Sequence, residues 1–385
     1  VNKGVTTFKT FESVLEVSGE YEYGALYDLA QNTQLTFDQA VNNVEFPSLT
    51  LPPTLSNFHQ DFQRVGRYLL LSSLLPSTTV FFNNDADGIS AAIQLSSLLP
   101  HARYVAHPSA IFHMSDALNV LGKAFGKHKV VVLLDFGANA ESFEALSLLK
   151  DNGYHLVLID HHPSSARTLE LFDAAISVPS QFPTGVSAFF LAKALGRGDE
   201  ELMGVACAGD HAYTFFTPSL THKRKALALD FAAFYQQKKA SLSYYKEIVN
   251  NETLWYSLAV RAEERIHEAL ERARPLLKRK AKHVFVIKLD NLVEPYEFPN
   301  RAKVVTQLLL ELEDEKAVII GYGRGRIILR AKGVFNVNAN IEQVKAHFGD
   351  KIESGGGHES AASIKVREGY EHAVVEALVE LFAGE

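Results

Sequence analysis

Residues Lys129–Asp135 read KVVVLLD, and His155–His162 read HLVLIDHH. Each is a short unbroken apolar run rich in branched side chains, and each ends at an aspartate. A strand that is apolar at every position, not at alternate ones, has both faces covered, as in a parallel sheet between two helix layers. Working outward, Thr78–Phe82 (TTVFF), Ala102–Ala106 and Ala174–Val178 read as further strands. Helical patterns lie between and around them at Phe62–Leu75, Gly88–Leu99, Ser142–Asn152 and Gly185–Leu195. Strand and helix alternate, so the expected class is α/β with a parallel sheet.

The chain has 385 residues, long enough for two domains and an extension. Residues 1–55 read as an N-terminal extension, with helical periodicity over Tyr21–Val44 and a linker at Phe46–Pro53 (FPSLTLPP). Residues 56–215 form the first α/β domain. Residues 216–282 show almost no strand signal, and Tyr256–Leu277 reads as a long helix, so this part is expected to be a helical connector. Strands return in 283–385, at Val284–Leu289, Ala317–Tyr322 and Arg326–Ala331. Helices are expected there at Arg301–Leu312, Val337–Phe348 and Glu371–Phe382, making a second, smaller α/β domain.

Composition narrows the function. A single cysteine, Cys207, excludes an intrachain disulfide and a cysteine-based zinc site, and it reads as a small buried residue. Val1–Thr10 has no apolar stretch of the secretory kind, and no apolar run is long enough to span a bilayer, so a cytoplasmic enzyme is expected. The formal net charge of −7 does not suit binding duplex DNA by overall charge. An anionic substrate would need locally placed positive charge, for which bound metal ions are the natural source.

The chemistry sits at the strand ends. The first strand runs into Asn83-Asn84-Asp85-Ala86-Asp87-Gly88, the next buried strand ends at Asp135, and another ends at Asp160-His161-His162. Asp210 follows a helical stretch, within AGDH. In a parallel sheet, functional groups gather beyond the carboxyl ends of the strands. One aspartate after a strand is more often a helix cap or turn former. A set of them in order is not explained that way. So many carboxylates in one crevice repel unless cations neutralise them. Oxygen and imidazole donors without thiolate suit Mn²⁺ or Mg²⁺. Two such ions about 3.5–4 Å apart share a carboxylate and activate a water for attack on phosphorus.

NDADGIS, LLDFGAN, LIDHHP and AGDH resemble the four motifs of the DHH phosphoesterase superfamily, and Gly355-Gly356-Gly357-His358 resembles the GGGH motif of its DHHA1 domain. The resemblance covers roughly residues 60–385. It implies a two-ion Mn²⁺ enzyme, with Mg²⁺ as the alternative ion, hydrolysing phosphoesters between a DHH domain and a DHHA1 domain. Asp85 would bind one metal. Asp87, His161 and Asp210 would bind the other, with Asp135 bridging. His162 would contact the scissile phosphate or leaving oxygen, and Asp160 would orient a histidine. Arg330 and Gly355–His358 would hold substrate, the glycines by close backbone approach. A small-residue helix start is expected after His358. Arg324 and Arg326 read more readily as surface charge. One departure stands out. Asn83 and Asn84 occupy positions where the family usually has a histidine or an acid, which weakens the first metal position.

Within the superfamily, DADGIS and the long connector are closer to RecJ-like exonucleases. The implied activity is exonuclease action on single-stranded DNA or RNA, 5′→3′, with replication or repair proteins as partners. Two alternatives stay open. One is an oligoribonuclease (nanoRNase) or pAp phosphatase acting on short oligonucleotides. The other is a weakly active or non-catalytic replication scaffold, for which Asn83 and Asn84 are the support.

Overall fold

The computed structural model describes residues 37–73, 77–122, 129–236, 240–290, 292, 296–357 and 360–385. Most of the expected N-terminal extension, and His358 of the glycine motif, lie outside the described residues. The chain divides into two compact units, Val1–Tyr256 and Ser257–Glu385.

The first unit holds a five-stranded parallel sheet in the order β2-β1-β3-β4-β5. Its strands are β1 (Thr78–Asn83), β2 (Arg103–His107), β3 (Lys129–Leu134), β4 (Tyr154–Asp160) and β5 (Ala174–Ser177). The central strand shows why an unbroken apolar run was needed. Val131 and Leu133 join one buried cluster with Ala117 and Val120 of α4 (Met114–Leu121) and Leu146 and Leu149 of α5 (Phe143–Asp151). Val130, Val132 and Leu134 alternate with them and are equally buried. Over this unit α3 (Ala86–Ser96) packs against α7 (Thr184–Ala194) and α8 (Glu200–Gly209). Burying each large aliphatic side chain contributes about 1.5–3 kcal/mol. The α/β class and the parallel sheet are therefore those expected.

Two more helices, α1 (Phe37–Asn42) and α2 (His59–Ser72), precede the sheet, and α6 (Ala166–Leu169) lies between β4 and β5. The stretch Phe46–Pro53, expected to be a linker, instead packs inward. Phe46 and Leu49 are buried, and the Phe46 ring lies where a side chain on Gly66 of α2 would sit. The sequence after the sheet continues in α9 (Leu220–Gln236) and α10 (Leu242–Asn250), and α11 (Glu252–Ala273) runs from the first unit into the second.

The second unit holds a six-stranded mixed sheet, β10-β11-β9-β8-β7-β6. Its strands are β6 (Lys278–Arg279), β7 (Val284–Lys288), β8 (Ala317–Gly323), β9 (Arg326–Lys332), β10 (Ile352–Gly357) and β11 (Ala361–Val366). One face buries Ile341 and Val344 of α13 (Val337–Phe348) and Val374 and Leu378 of α14 (Glu371–Ala383). On β8, Gly321 leaves room for Val305 of α12 (Arg301–Glu311). The expected helix start after the glycine run is corrected. Gly355–Gly357 finish β10, and Ala361–Val366 return antiparallel as β11. Inward-facing Ala362, Ile364 and Val366 give a period of two, which fits a half-buried strand.

Candidate metal centre

Four chain segments bring carboxylates and imidazoles together beyond the carboxyl ends of β1, β3 and β4. Asp85 caps α3, accepting from the Gly88 amide at 3.0 Å. A side chain on Gly88 would clash with the Asn83 carbonyl, so glycine lets the helix start this close to its strand. Asp87, one residue inside the helix, has no solvent exposure. Its two oxygens accept from the amides of Thr184 (2.7 Å) and Gly185 (2.8 Å) at the start of α7. A side chain on Gly185 would clash with Ala206, so the close approach that lets its amide reach Asp87 requires glycine there.

Asp135 leaves β3 with φ of 68°, a left-handed conformation that aspartate tolerates better than most residues. That turn carries its carboxylate toward His161 Nε2, 3.2 Å away, and the Thr184 hydroxyl, which donates at 3.1 Å. His161 Nε2 also lies 3.0 Å from Asp210 Oδ2 and 3.8 Å from Asp87 Oδ2. Its other nitrogen, Nδ1, lies 3.1 Å from the Ser180 carbonyl. Asp160 works behind the histidines. Its Oδ1 accepts from the His161 amide at 2.8 Å, the His162 amide at 3.1 Å and His162 Nδ1 at 2.8 Å.

The electrostatics match this crowding. Burial, followed by the charges of Asp135 and Asp210, pushes the carboxyls of Asp85 and Asp87 well above the usual range. Burial opposes charge on His161, but Asp210 and Asp135 outweigh it and raise that imidazole. His162 is likewise raised, to about 9, because Asp160 outweighs its burial. Asp160 itself is held below the usual range. Burial opposes its charge, and the two histidines and their amides overcome it. Cys207 is buried and pushed up to about 12 by that burial, with Asp87 and Asp210 adding, which removes it as a thiolate nucleophile.

These residues fit a divalent cation. Ligand atoms of Asp87, His161 and Asp210 lie within 4.8 Å of one another, and so do those of Asp135, His161 and His162. With Nδ1–H donating to Ser180, a protonated Nε2 is what holds the acidic oxygens together. A metal ion would replace that proton and relieve the same repulsion.

The two asparagines divide in role. Asn83 Nδ2 donates to Asp85 and, at 3.3 Å, to Asp135, so a neutral donor sits between two carboxylates. Asn84 turns away. Its amide donates to the Ala233 carbonyl at 3.0 Å and accepts from the Tyr245 hydroxyl at 2.6 Å. Sequence reasoning missed Thr184, Gly185 and Asp230. Asp230, on α9, accepts from the Ala86 amide at 3.0 Å and adds to the charge around Asp85. No motif marks it. Arg330, in the second unit, is half-buried on β9, where Nε donates to the Thr306 hydroxyl at 2.9 Å. Burial lowers its guanidinium to about 10.

A parallel sheet whose strand ends deliver an Asp-x-Asp pair, a lone aspartate and an Asp-His-His triplet to one point defines a metal-centre class of α/β protein. Residues 77–209 match the family model described as DHH family, N-terminal domain. An uncharacterized protein of Methanocaldococcus jannaschii is 23% identical over 337 residues, covering 70% of this chain. The chain spans 43% of that relative's length. Among solved structures, the DHH domain of a member of the s1p family of ribosomal proteins aligns with a TM-score of 0.76 at 17% identity, over 93% of this chain and 96% of that one. RecJ in complex with Mn²⁺ from Thermus thermophilus gives 0.58 at 13% identity, over 95% of this chain and 62% of that one. Exonuclease RecJ bound to manganese gives 0.54 at 14% identity, over 84% and 94%. At these identities the likeness is one of fold. Among the described residues, no helix is long and apolar enough to cross a membrane.

Proposed function

We propose that the protein is a divalent-metal-dependent phosphoesterase of the RecJ-like kind, acting from a cytoplasmic location on single-stranded DNA or RNA. The observation that carries this reading is the convergence of Asp87, Asp135 and Asp210 on His161 Nε2. Asp87, His161 and Asp210 are assigned to one ion, Asp85 to a second, and Asp135 to both. Bound Mn²⁺, or Mg²⁺ in its place, would supply an activated water and neutralise charge on the phosphate. The chain's own residues do the positioning. The α7 amides fix Asp87, Thr184 fixes Asp135, and Asp160 fixes the His162 ring through Nδ1. His162, whose proton affinity the Asp160 carboxylate raises to about 9, is assigned to donate to the scissile phosphate or the leaving oxygen.

Residues 283–385 are assigned the part of a DHHA1 domain, with 216–282 as connector and 56–215 as the catalytic domain. Arg330 and Gly355–His358 are assigned to substrate. Arg330 is a half-buried guanidinium bonded to neutral oxygens, Thr306 Oγ1 and the Leu329 carbonyl, which suits an anion. Replication or repair proteins are the expected partners.

A ladder of 5′-labelled oligomers with Mn²⁺ tests the substrate. Release of the label from long strands as a mononucleotide, without shortened labelled intermediates, is expected. Turnover confined to the shortest species would give the site to an oligoribonuclease or pAp phosphatase instead. A purified protein that degrades nothing, and whose metal content is indifferent to Asp135→Ala, would make it a scaffold.

A further inference from the structure

The β8–β9 hairpin of the second unit has an unusual turn. Gly323 pairs with Arg326, leaving Arg324 and Gly325 as the two-residue loop. Both have positive φ, 49° and 71°. Such a loop favours Asn-Gly or Gly-Gly, because a long side chain in the left-handed region is strained. Arginine in the first place is therefore retained against a conformational cost.

Two more arginines gather at the same hairpin. Arg301, on the first turn of α12, donates through Nη1 to the Gly323 carbonyl at 2.7 Å. Arg326 begins β9 and is exposed, as is Arg324. Burial first, and then the charge of Arg324, lower the Arg301 guanidinium; Asp290 opposes them and Arg326 adds, so the three arginines feel one another around one acid. Among the described residues none of the three forms an ion pair. Of the nearby acids, Asp290 offsets part of the repulsion at Arg301 without pairing with it. Asp290 lies 3.4 Å from Lys288, and the carbonyl of Asp290, not its carboxylate, accepts from Arg324 at 3.0 Å. Glu371 accepts from the amides of Gly325 and Gly369 at 2.7 and 2.8 Å. By contrast Arg274, Arg279 and Arg367 in the same unit are each paired with a carboxylate. In a chain of net charge −7, three gathered arginines without a pair, one of them held in a strained turn, call for an external anion.

We infer that the Arg301, Arg324 and Arg326 cluster grips the sugar-phosphate backbone of a single-stranded nucleic acid. This deepens the nucleic-acid reading above, and rests on it for the identity of the anion. Exposed forks on adjoining elements suit successive phosphates of a flexible strand, without reading its bases.

The double variant Arg324→Gly, Arg326→Gln tests it on the full chain. Binding of a fluorescent 20-mer of deoxythymidine is followed in EDTA across a salt series, beside thermal melting. Glycine relieves the turn, so the variant should melt no lower than the wild type. Its Kd should rise about tenfold at low salt, and the slope of log K against log salt should fall by about 1.4, two single-strand contacts' worth. An unchanged Kd and slope would overturn the inference, as would a wild type that does not hold the strand. Displacement by inorganic phosphate at matched ionic strength would also overturn it, assigning the cluster to a single phosphate. A wild type that holds the strand but hydrolyses nothing with Mn²⁺ sinks the phosphoesterase reading and leaves this one standing.

Discussion

His161 Nε2 lies 3.0 Å from Asp210 Oδ2, and it is the atom on which Asp87 and Asp135 also converge. Without metal, a proton on that nitrogen has to hold three acids together. Asp85, Asp87 and His161 all have their proton affinity raised by folding. A raised group stabilises the fold below its unfolded pKa, and that stability is lost as pH rises through the folded pKa. For His162 the loss runs from about 6.5 to about 9. In EDTA the first unit should therefore melt progressively lower from pH 6 to pH 9. Saturating Mn²⁺ should raise the melting temperature by about 5–10 °C at pH 8 and by less at pH 6. Calorimetry with and without the ion checks this. A shift independent of pH would contradict the proton-for-metal exchange.

Asp135→Asn separates charge from backbone. Asparagine tolerates the left-handed φ of 68° as well as aspartate does, so the fold should survive with the melting temperature in EDTA equal to or above wild type. The bridge between two ions would be gone. Bound Mn²⁺ per chain should fall, and kcat should drop by about 10³-fold or more, a loss of about 4 kcal/mol of transition-state stabilisation. Elemental analysis and single-turnover hydrolysis report the two effects. Retention of both metal and rate would remove Asp135 from the centre.

The strand-end aspartates were legible because a buried parallel strand is written as an unbroken apolar run, and whatever follows it lies at one sheet edge. KVVVLLD and HLVLIDHH needed nothing from elsewhere in the chain. Thr184 and Asp230 were illegible for the opposite reason. Each reaches the centre only because α7 or α9 packs where it does, and nothing local in TGVSAFF or LALDFAAF marks a site. The glycine run misleads for a third reason. Glycine has poor strand propensity, so β10 carries no pattern, and the small residues that open β11 read locally as a helix start. Asn83 and Asn84 look equivalent in sequence, but strand alternation sends one to the carboxylates and the other to Tyr245.

That split between the asparagines gives a paired prediction. Asn83→Asp places a third carboxylate against Asp85 and Asp135, so the melting temperature in EDTA should fall by several degrees and Mn²⁺ should recover most of the loss. Asn84→Ala strips partners from the Tyr245 hydroxyl and the Ala233 carbonyl, a cost of about 1–3 kcal/mol that metal cannot repair. Melting curves of both variants with and without the ion distinguish the roles. Equal metal rescue of the two would show that Asn83 has no special relation to the centre.

Asp160→Asn probes the histidine that is assigned to the substrate. Asp160 Oδ1 lies 2.8 Å from His162 Nδ1, and its charge is the leading cause that lifts His162 to about 9 against burial. An amide keeps the shape and loses the charge, so His162 should titrate at lower pH. If protonated His162 donates to the phosphate or leaving oxygen, the alkaline limb of the kcat/KM profile moves acidward by about one unit or more, with the rate at pH 6 the least affected. His162→Gln should flatten that limb, because the titrating group is gone. A limb that stays in place in Asp160→Asn while His162→Gln still abolishes it would mean that another neighbour, Asp135 at 3.6 Å, sets the imidazole's charge. A limb untouched by both variants would take His162 out of proton transfer altogether.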